Sequence, residues 1–218
     1  MGMAGQVPMH PGMRITLVQV AKQFSREKVF TGVDHVFEAG SRTALLGPNG
    51  SGKSTLLQVV AGALVPTKGT VEHALEGETI EQERVYRKVS IAAPYLDLYE
   101  DLSLREALAT HAHFKPFQPG ISVEEVARTA YLEPHMEKPV SNFSSGMKQR
   151  LKLALAILSD TPLLLLDEPA TNLDAEGIAW FRELLMSNMD GRTLLVASNR
   201  QAEETFACTA SVEMKRWK

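Results

Sequence analysis

The sequence predicts an α/β fold with a mostly parallel core sheet, an N-terminal antiparallel β subdomain and an inserted α-helical subdomain. Three observations predict it. The apolar run Thr43 to Leu46 feeds straight into a glycine-rich loop, after which Ser54 to Ala61 has helical character and stops at Gly62. The wholly apolar strand Leu163 to Leu166 alternates with a helix from about Asp174 to Asn188 and a second apolar strand, Thr193 to Ala197. From about Val89 to Ser159, helical segments dominate. Strands without a polar face, alternating with helices, are those of a parallel sheet covered on both sides.

In chain order, residues 1–13 contain Gly2, Gly5, Pro8, Pro11 and Gly12 and are expected to be disordered, so the folded domain is expected over 14–218. Ile15 to Val20 and Val33 to Phe37 are short strands separated by a polar turn region around Ser25 to Lys28, which reads as an antiparallel ribbon. The helical subdomain is expected over about 94–160, with helices at Leu104 to His113, Val123 to Tyr131 and Gly146 to Ser159. Ser122 and Glu125 have the spacing of a capping box.

Composition narrows the function. The chain has 218 residues, 44% of them apolar, enough for one well-packed domain. A net charge of -3 gives no basic stripe for displacing counterions, so nucleic acid is not an expected partner. The single cysteine, Cys208, fits a reducing compartment, and the cytoplasm is the expected location. No run reaches the roughly 18 apolar residues that cross a bilayer, and Met1 to Met13 lacks a signal peptide's apolar centre. Work at a membrane would require another chain to dock this one there.

Three segments carry chemistry. Gly47, Pro48, Asn49, Gly50, Ser51, Gly52, Lys53, Ser54 and Thr55 match G-x-x-x-x-G-K-[ST], the loop of P-loop NTPases. Its glycines let backbone N–H groups turn inward around phosphate oxygens, at the positive end of the following helix dipole. Lys53 can neutralise the β and γ phosphates of ATP, Ser54 can offer its hydroxyl to Mg2+, and Thr55 can add a phosphate contact. The second segment is the apolar strand ending in Asp167 and Glu168, at the sheet edge where ligands of parallel sheets sit. Asp167 is placed to hold Mg2+, directly or through water. Glu168 points elsewhere and can polarise a water for attack on the γ phosphate. The third is Phe143-Ser144-Ser145-Gly146-Met147-Lys148-Gln149-Arg150, where Ser144 caps a helix whose free N–H groups attract an anion.

Together, and in this order, these segments resemble the ATP-binding cassette (ABC) ATPases, from about Ile15 to the helix after Asn199. The resemblance identifies the first segment as Walker A, the second as Walker B with its catalytic glutamate, and the third as the signature motif. FSSGM stands here where LSGGQ is typical: Ser144 and Gly146 keep the pattern, while Ser145 and Met147 depart from it. Asp174, in Thr171-Asn172-Leu173-Asp174, matches the D-loop aspartate, and Phe24 falls where the family stacks an aromatic ring on adenine.

The resemblance further implies a head-to-tail dimer, with itself or with a second cassette, in which ATP is sandwiched between domains. Lys53, Ser54, Asp167 and Glu168 of one copy would face Ser144 and Gly146 of the other. Its expected role is the ATP-binding subunit of an ABC transporter, driving integral membrane subunits by ATP hydrolysis. A soluble cassette that regulates or assembles another protein is the alternative. Two positions break the pattern: Pro94 stands where glutamine usually contacts Mg2+, and Asn199 where histidine usually touches the γ phosphate. Proline offers no side-chain carbonyl, and asparagine cannot take a positive charge. Slow hydrolysis is therefore expected, or pairing with a cassette that supplies a better site.

Three remaining features carry no site. His111 and His113, two apart in a helix, do not share a face, so they are expected on a solvated surface without metal. The acidic run Glu76 to Glu83 lacks ligand spacing and is expected to be exposed. Tyr95, Leu96, Leu98 and Tyr99 form an apolar cluster that either packs in the core or receives a membrane subunit's helix.

Overall fold

A computed structural model describes residues 10–218. In chain order its strands are β1 (Met13–Phe24), β2 (Glu27–Phe37), β3 (Arg42–Leu46), β4 (Lys68–Leu75), β5 (Glu78–Thr79), β6 (Val89–Ala92), β7 (Leu163–Asp167), β8 (Thr193–Ser198) and β9 (Ala210–Glu213). Its α-helices are α1 (Lys53–Val60), α2 (Leu104–Phe114), α3 (Val123–Thr129), α4 (Ser145–Leu158), α5 (Ala175–Ser187) and α6 (Ala202–Thr205).

Five strands form a parallel sheet in the order β6-β7-β8-β3-β9, and four form an antiparallel sheet in the order β2-β1-β4-β5. The wholly apolar β7 lies inside the parallel sheet and is buried along its whole length. Its side chains alternate. Leu164 and Leu166, with Leu194 and Val196 of β8, pack against α2 to α5, whereas Leu163, Leu165 and Leu195 face α1 and the antiparallel sheet. Helices α2 to α5 cover one face of the sheet, and α1 with the antiparallel sheet covers the other, so neither face of β7 needs polar residues.

Register sets the ligand edge. Asp167 pairs with Ala197 and Leu46 with Ser198, so Walker B, the end of β8 and the start of the phosphate loop emerge side by side. The Gly47 N–H reaches the Ser198 carbonyl at 3.4 Å and ties that loop to β8.

Several expectations shift. Met13, expected in a disordered extension, opens β1, and its N–H donates to Thr193 Oγ1 at 3.0 Å; His10 is also buried. Residues 1–9 of that expected extension lie outside the described residues. β1 and β2 run on to a tight turn at Ser25 and Arg26, where Ser25 takes a left-handed φ of 50°. The capping box is displaced: Ser122 only accepts from the Glu125 N–H, whereas Ser103 and Glu106 complete the reciprocal pair at α2. His111 is half-buried instead of solvated, stacked on Phe117 and hydrogen-bonded to Ser159 Oγ at 2.9 Å. Burial, aided by the Lys115 charge, pushes its pKa down to about 4. The glutamates from Glu76 to Glu83 are exposed as expected.

Candidate functional site

The phosphate loop closes onto its own lysine. Lys53, 4% exposed, donates from Nζ to the carbonyls of Gly47 at 2.9 Å and Pro48 at 3.3 Å. Its ammonium lies 3.9 Å from Glu168 Oε1 across the site. The charge is thus held at the centre of the loop by neutral carbonyls, loosely enough for a phosphate to claim it.

Two glycines are fixed by space. Gly52, the residue before α1, has φ 96°, and a Cβ there would lie 2.7 Å from Val29 Cγ1. A Cβ on Gly47 would sit 2.6 Å from Ser51 Oγ. The loop and the start of β2 therefore share one narrow wall.

Phe24, Glu27, Lys28 and Val29 line a cleft of about 440 Å³ with Asn49 to Thr55, Glu168 and Lys218. Phe24 is 48% exposed at its mouth, with Lys22 Nζ 4.9 Å from the ring centroid. An exposed ring beside a phosphate cradle has a face free for a planar base. Lys218, which the sequence did not single out, donates to the Gly50 carbonyl at 3.2 Å, a contact between residues 168 apart in the chain.

Asp167 is 2% exposed, and both its carboxyl oxygens are buried without a hydrogen-bond partner. Burial raises its pKa; the Ser54 hydroxyl and the Lys53 charge oppose that rise, and Glu168 adds to it. An unpartnered buried carboxylate beside a hydroxyl suits a hard divalent cation that takes oxygen ligands, so Asp167 and Ser54 fit Mg2+. Glu168 sits in a left-handed conformation at φ 46°, with its N–H on the Ala197 carbonyl at 3.0 Å. That conformation turns its side chain away from the strand's alternation and toward Lys53.

The signature and D-loop residues stand apart from this cleft. Ser144 caps α4 by accepting from the Met147 N–H at 3.2 Å, and Asp174 caps α5 by accepting from the Gly177 N–H at 2.8 Å. Both are exposed. A Cβ on Gly146 would lie 3.4 Å from the Asn172 carbonyl, so the two loops adjoin. Gln149 Nε2 bonds the Pro169 carbonyl at 2.8 Å and couples α4 to the residue after Glu168. Pro94 and Asn199 are exposed, and neither lines the cleft. Beside Pro94, the Tyr95 phenol is pushed up to about 12 by burial and by Asp167, opposed by a hydrogen bond with Gln58.

These elements occur in the order and spacing of one family, whose model, described as ABC transporter, matches residues 30–171. The chain belongs to the ABC transporter family. An ABC transporter ATP-binding protein of Bacillus subtilis strain 168, YcbN, is 33% identical over 196 residues, covering 88% of this chain and 64% of its own length. Nod factor export ATP-binding protein I of Rhizobium meliloti is 32% identical over 206 residues, covering 91% of this chain and 60% of its own. The chain thus spans less than two thirds of the length of these relatives.

A solved ATP-binding subunit of an ABC transporter superposes with TM-score 0.77 at 25% identity, covering 91% of this chain and 85% of that one. A dimeric ATP-binding cassette, bound to ADP and Pi after hydrolysis, superposes with TM-score 0.78 at 21% identity, over 91% and 93% of the two chains, and shares the fold. Among the described residues of this ABC cassette, no helix is long and apolar enough to cross a membrane.

Proposed function

We propose that this chain is the ATP-binding subunit of an ABC transporter, hydrolysing Mg-ATP in a head-to-tail dimer to drive separate membrane subunits. The observation that carries the reading is the convergence of Lys53, Ser54, Asp167 and Glu168 on one phosphate cradle, with the Lys53 ammonium 3.9 Å from the Glu168 carboxylate. Phe24 stacks on the adenine, and free N–H groups of the loop between Asn49 and Thr55 surround the phosphates. Ser54 and Asp167 would hold magnesium, which would supply positive charge to the phosphate oxygens. Glu168 accepts a proton from a water as its oxygen bonds the γ phosphorus. The bond from that phosphorus to the β–γ bridging oxygen then breaks, and Lys53 offsets charge gathering on ADP. Ser144, exposed at the start of α4, and the half-buried Gly146 meet the γ phosphate bound by the opposite copy, and Asp174 lies at the same seam.

The cassette works at the cytoplasmic face of a membrane, held by its partners. Tyr95, Leu96 and Tyr99 are exposed at 40%, 36% and 67%, while Leu98 packs inward. The three exposed residues offer a membrane subunit a docking surface, and nucleic acid is not a partner.

Pro94 and Asn199 make turnover slow. Asn199 can donate a hydrogen bond to the γ phosphate but brings no charge, so restoring that charge in Asn199→His raises steady-state turnover about tenfold. Wild-type turnover that is already fast, and slowed by the substitution, would refute slow hydrolysis. ATP-dependent dimerisation of Glu168→Gln, followed by light scattering, tests the sandwich; a variant that stays monomeric with saturating Mg-ATP overturns it.

A further inference from the structure

Glu204 lies on α6, is 1% exposed, and has no part in the site as described so far. Charged side chains are seldom this deeply buried without a specific partner. Its partner is Ser198, the last residue of β8: Glu204 Oε2 lies 2.5 Å from Ser198 Oγ. Ser198 Oγ also accepts the Gln201 N–H at 3.1 Å, so the hydroxyl proton is directed to the carboxyl. The hydroxyl therefore closes the turn Ser198 to Gln201, which carries Asn199, and the carboxyl clamps that turn to α6.

The same carboxyl faces the other half of the reaction edge. Burial raises the Glu204 pKa, opposed by the Ser198 hydroxyl and by the Ala170 N–H two residues beyond Glu168, and Oε1 completes no hydrogen bond. Glu168 and Asp167 are close enough to act on it electrostatically. The Ser198 carbonyl takes the Gly47 N–H at 3.4 Å, and the adjacent Ala197 carbonyl takes the Glu168 N–H at 3.0 Å. One residue pair thus sits between the Asn199 turn, the first residue of the phosphate loop and the segment bearing Glu168.

We propose that Glu204 is a positioning residue for γ-phosphate cleavage, acting through Ser198 to fix the Asn199 turn against the Glu168 segment. This rests on the ATPase reading above. Glu204 touches no reacting atom. It makes the turn rigid, so that Asn199 and Glu168 are already in place when the transition state forms, and its loss lowers the rate more than nucleotide affinity. An anchoring carboxyl also explains why a polar serine is buried directly after the apolar run Leu194 to Ala197.

The test uses the full chain and reads single-turnover ATP hydrolysis, binding of a fluorescent ATP analogue with Mg2+, and melting temperature. Glu204→Ala and Ser198→Ala each lower the single-turnover rate about tenfold while analogue affinity stays within about twofold. The double variant is no slower than the slower single variant, because both remove one contact. Glu204→Gln, which keeps an acceptor for the Ser198 hydroxyl, recovers most of the rate.

A wild-type rate in Glu204→Ala overturns the proposal. So does loss of rate, affinity and melting temperature in parallel without rescue by glutamine, which would mark a fold-supporting contact only. A wild type that binds nucleotide without measurable single-turnover hydrolysis overturns the positioning role and leaves nucleotide binding standing. Failure of wild type to bind the analogue overturns the ATPase reading and this proposal together.

Discussion

Arg192 is the largest fully buried side chain among the described residues, and replacing it tests how the helices are fastened to the parallel sheet. Its guanidinium donates to the Ile157 carbonyl at 2.6 Å, to Thr161 Oγ1 at 2.8 Å and to Ser90 Oγ at 3.1 Å. It therefore joins α4, β6 and the loop before β7 to the start of β8. Burial pulls its pKa down to about 10, with Asp160 opposing, so the buried charge carries a cost that these bonds offset.

In Arg192→Ala, Ser90 and Thr161 keep each other at 2.8 Å, but the Ile157 carbonyl loses its short bond and a cavity opens. The Ile157 carbonyl keeps the Gln118 Nε2 donor at 3.0 Å, and the lost charge-assisted bonds together with an unfilled side-chain volume, set against relief of the buried charge, amount to about 3 kcal/mol lost. For a domain of this size that lowers the melting temperature by roughly 6 to 12 °C. Arg192→Met fills the stem volume and removes the charge, so it loses about 1 kcal/mol. Calorimetry on the three proteins, with urea titration as a second measure, separates bonding from packing. An Arg192→Ala melting temperature within about 2 °C of wild type would refute this account of the network.

Two further outcomes follow from single residues. The folded pKa of His111 is lowered from 6.5 to about 4, so the unfolded chain takes up this proton first as the pH falls. Its contribution is complete above about 6.5 and is lost toward 4, by up to about 3 kcal/mol. Urea titrations from pH 7 to 4 should show a shallower loss for His111→Gln than for wild type; parallel curves would mean that burial does not govern this histidine. Gly52→Ala forces a left-handed alanine at φ 96° with its Cβ 2.7 Å from Val29 Cγ1, so the loop must shift. Affinity for a fluorescent ATP analogue should fall about tenfold or more, and an affinity within about twofold of wild type would show that the loop yields cheaply.

The parallel core and the phosphate cradle were legible because both are local. Four consecutive leucines in β7 have no polar face to present, and the spacing of Gly47, Gly52, Lys53 and Ser54 is contained within one turn and one helix start. β4 and β9 escaped the sequence reading. Lys68 to Leu75 carries Lys68 and Glu72 at exposed positions, and its one fully buried side chain is the polar His73, so no apolar alternation marks it. β9 is a four-residue edge strand whose one buried side chain is Val212. The contacts that organise the site's far side were illegible for a different reason. Lys218 on Gly50, Arg192 on Ile157 and Thr193 on Met13 join residues far apart in the chain, and no local period encodes them. Ser198 and Glu204 lie only six residues apart, yet in sequence the glutamate reads as one more charge on a short solvated helix. Only a fold that buries α6 against β8 turns it into a clamp.

On the proposed function, the balance of charge at this edge would make nucleotide and cation bind there together. Asp167, Glu168 and Glu204 are within electrostatic reach of one another, and burial raises the pKa values of Asp167 and Glu204. Lys53 is the ammonium nearest them, and it is spent on the carbonyls of Gly47 and Pro48, with Glu168 farther off at 3.9 Å. A phosphate chain alone would relieve the lysine and worsen the carboxylates, since its charge has their sign. A divalent cation alone would suit Asp167 and Ser54 but leave the inward N–H groups of the loop without an acceptor. Supplied together, each would cancel what the other leaves unpaired, and the desolvation already built into Asp167 would become part of an affinity for Mg-ATP over free ATP. Removing the charge in Asp167→Asn should therefore narrow the difference in affinity between the two forms of the nucleotide, chiefly by weakening Mg-ATP, and titrations with and without EDTA would measure that gap. A gap as wide as that of wild type would place the cation elsewhere.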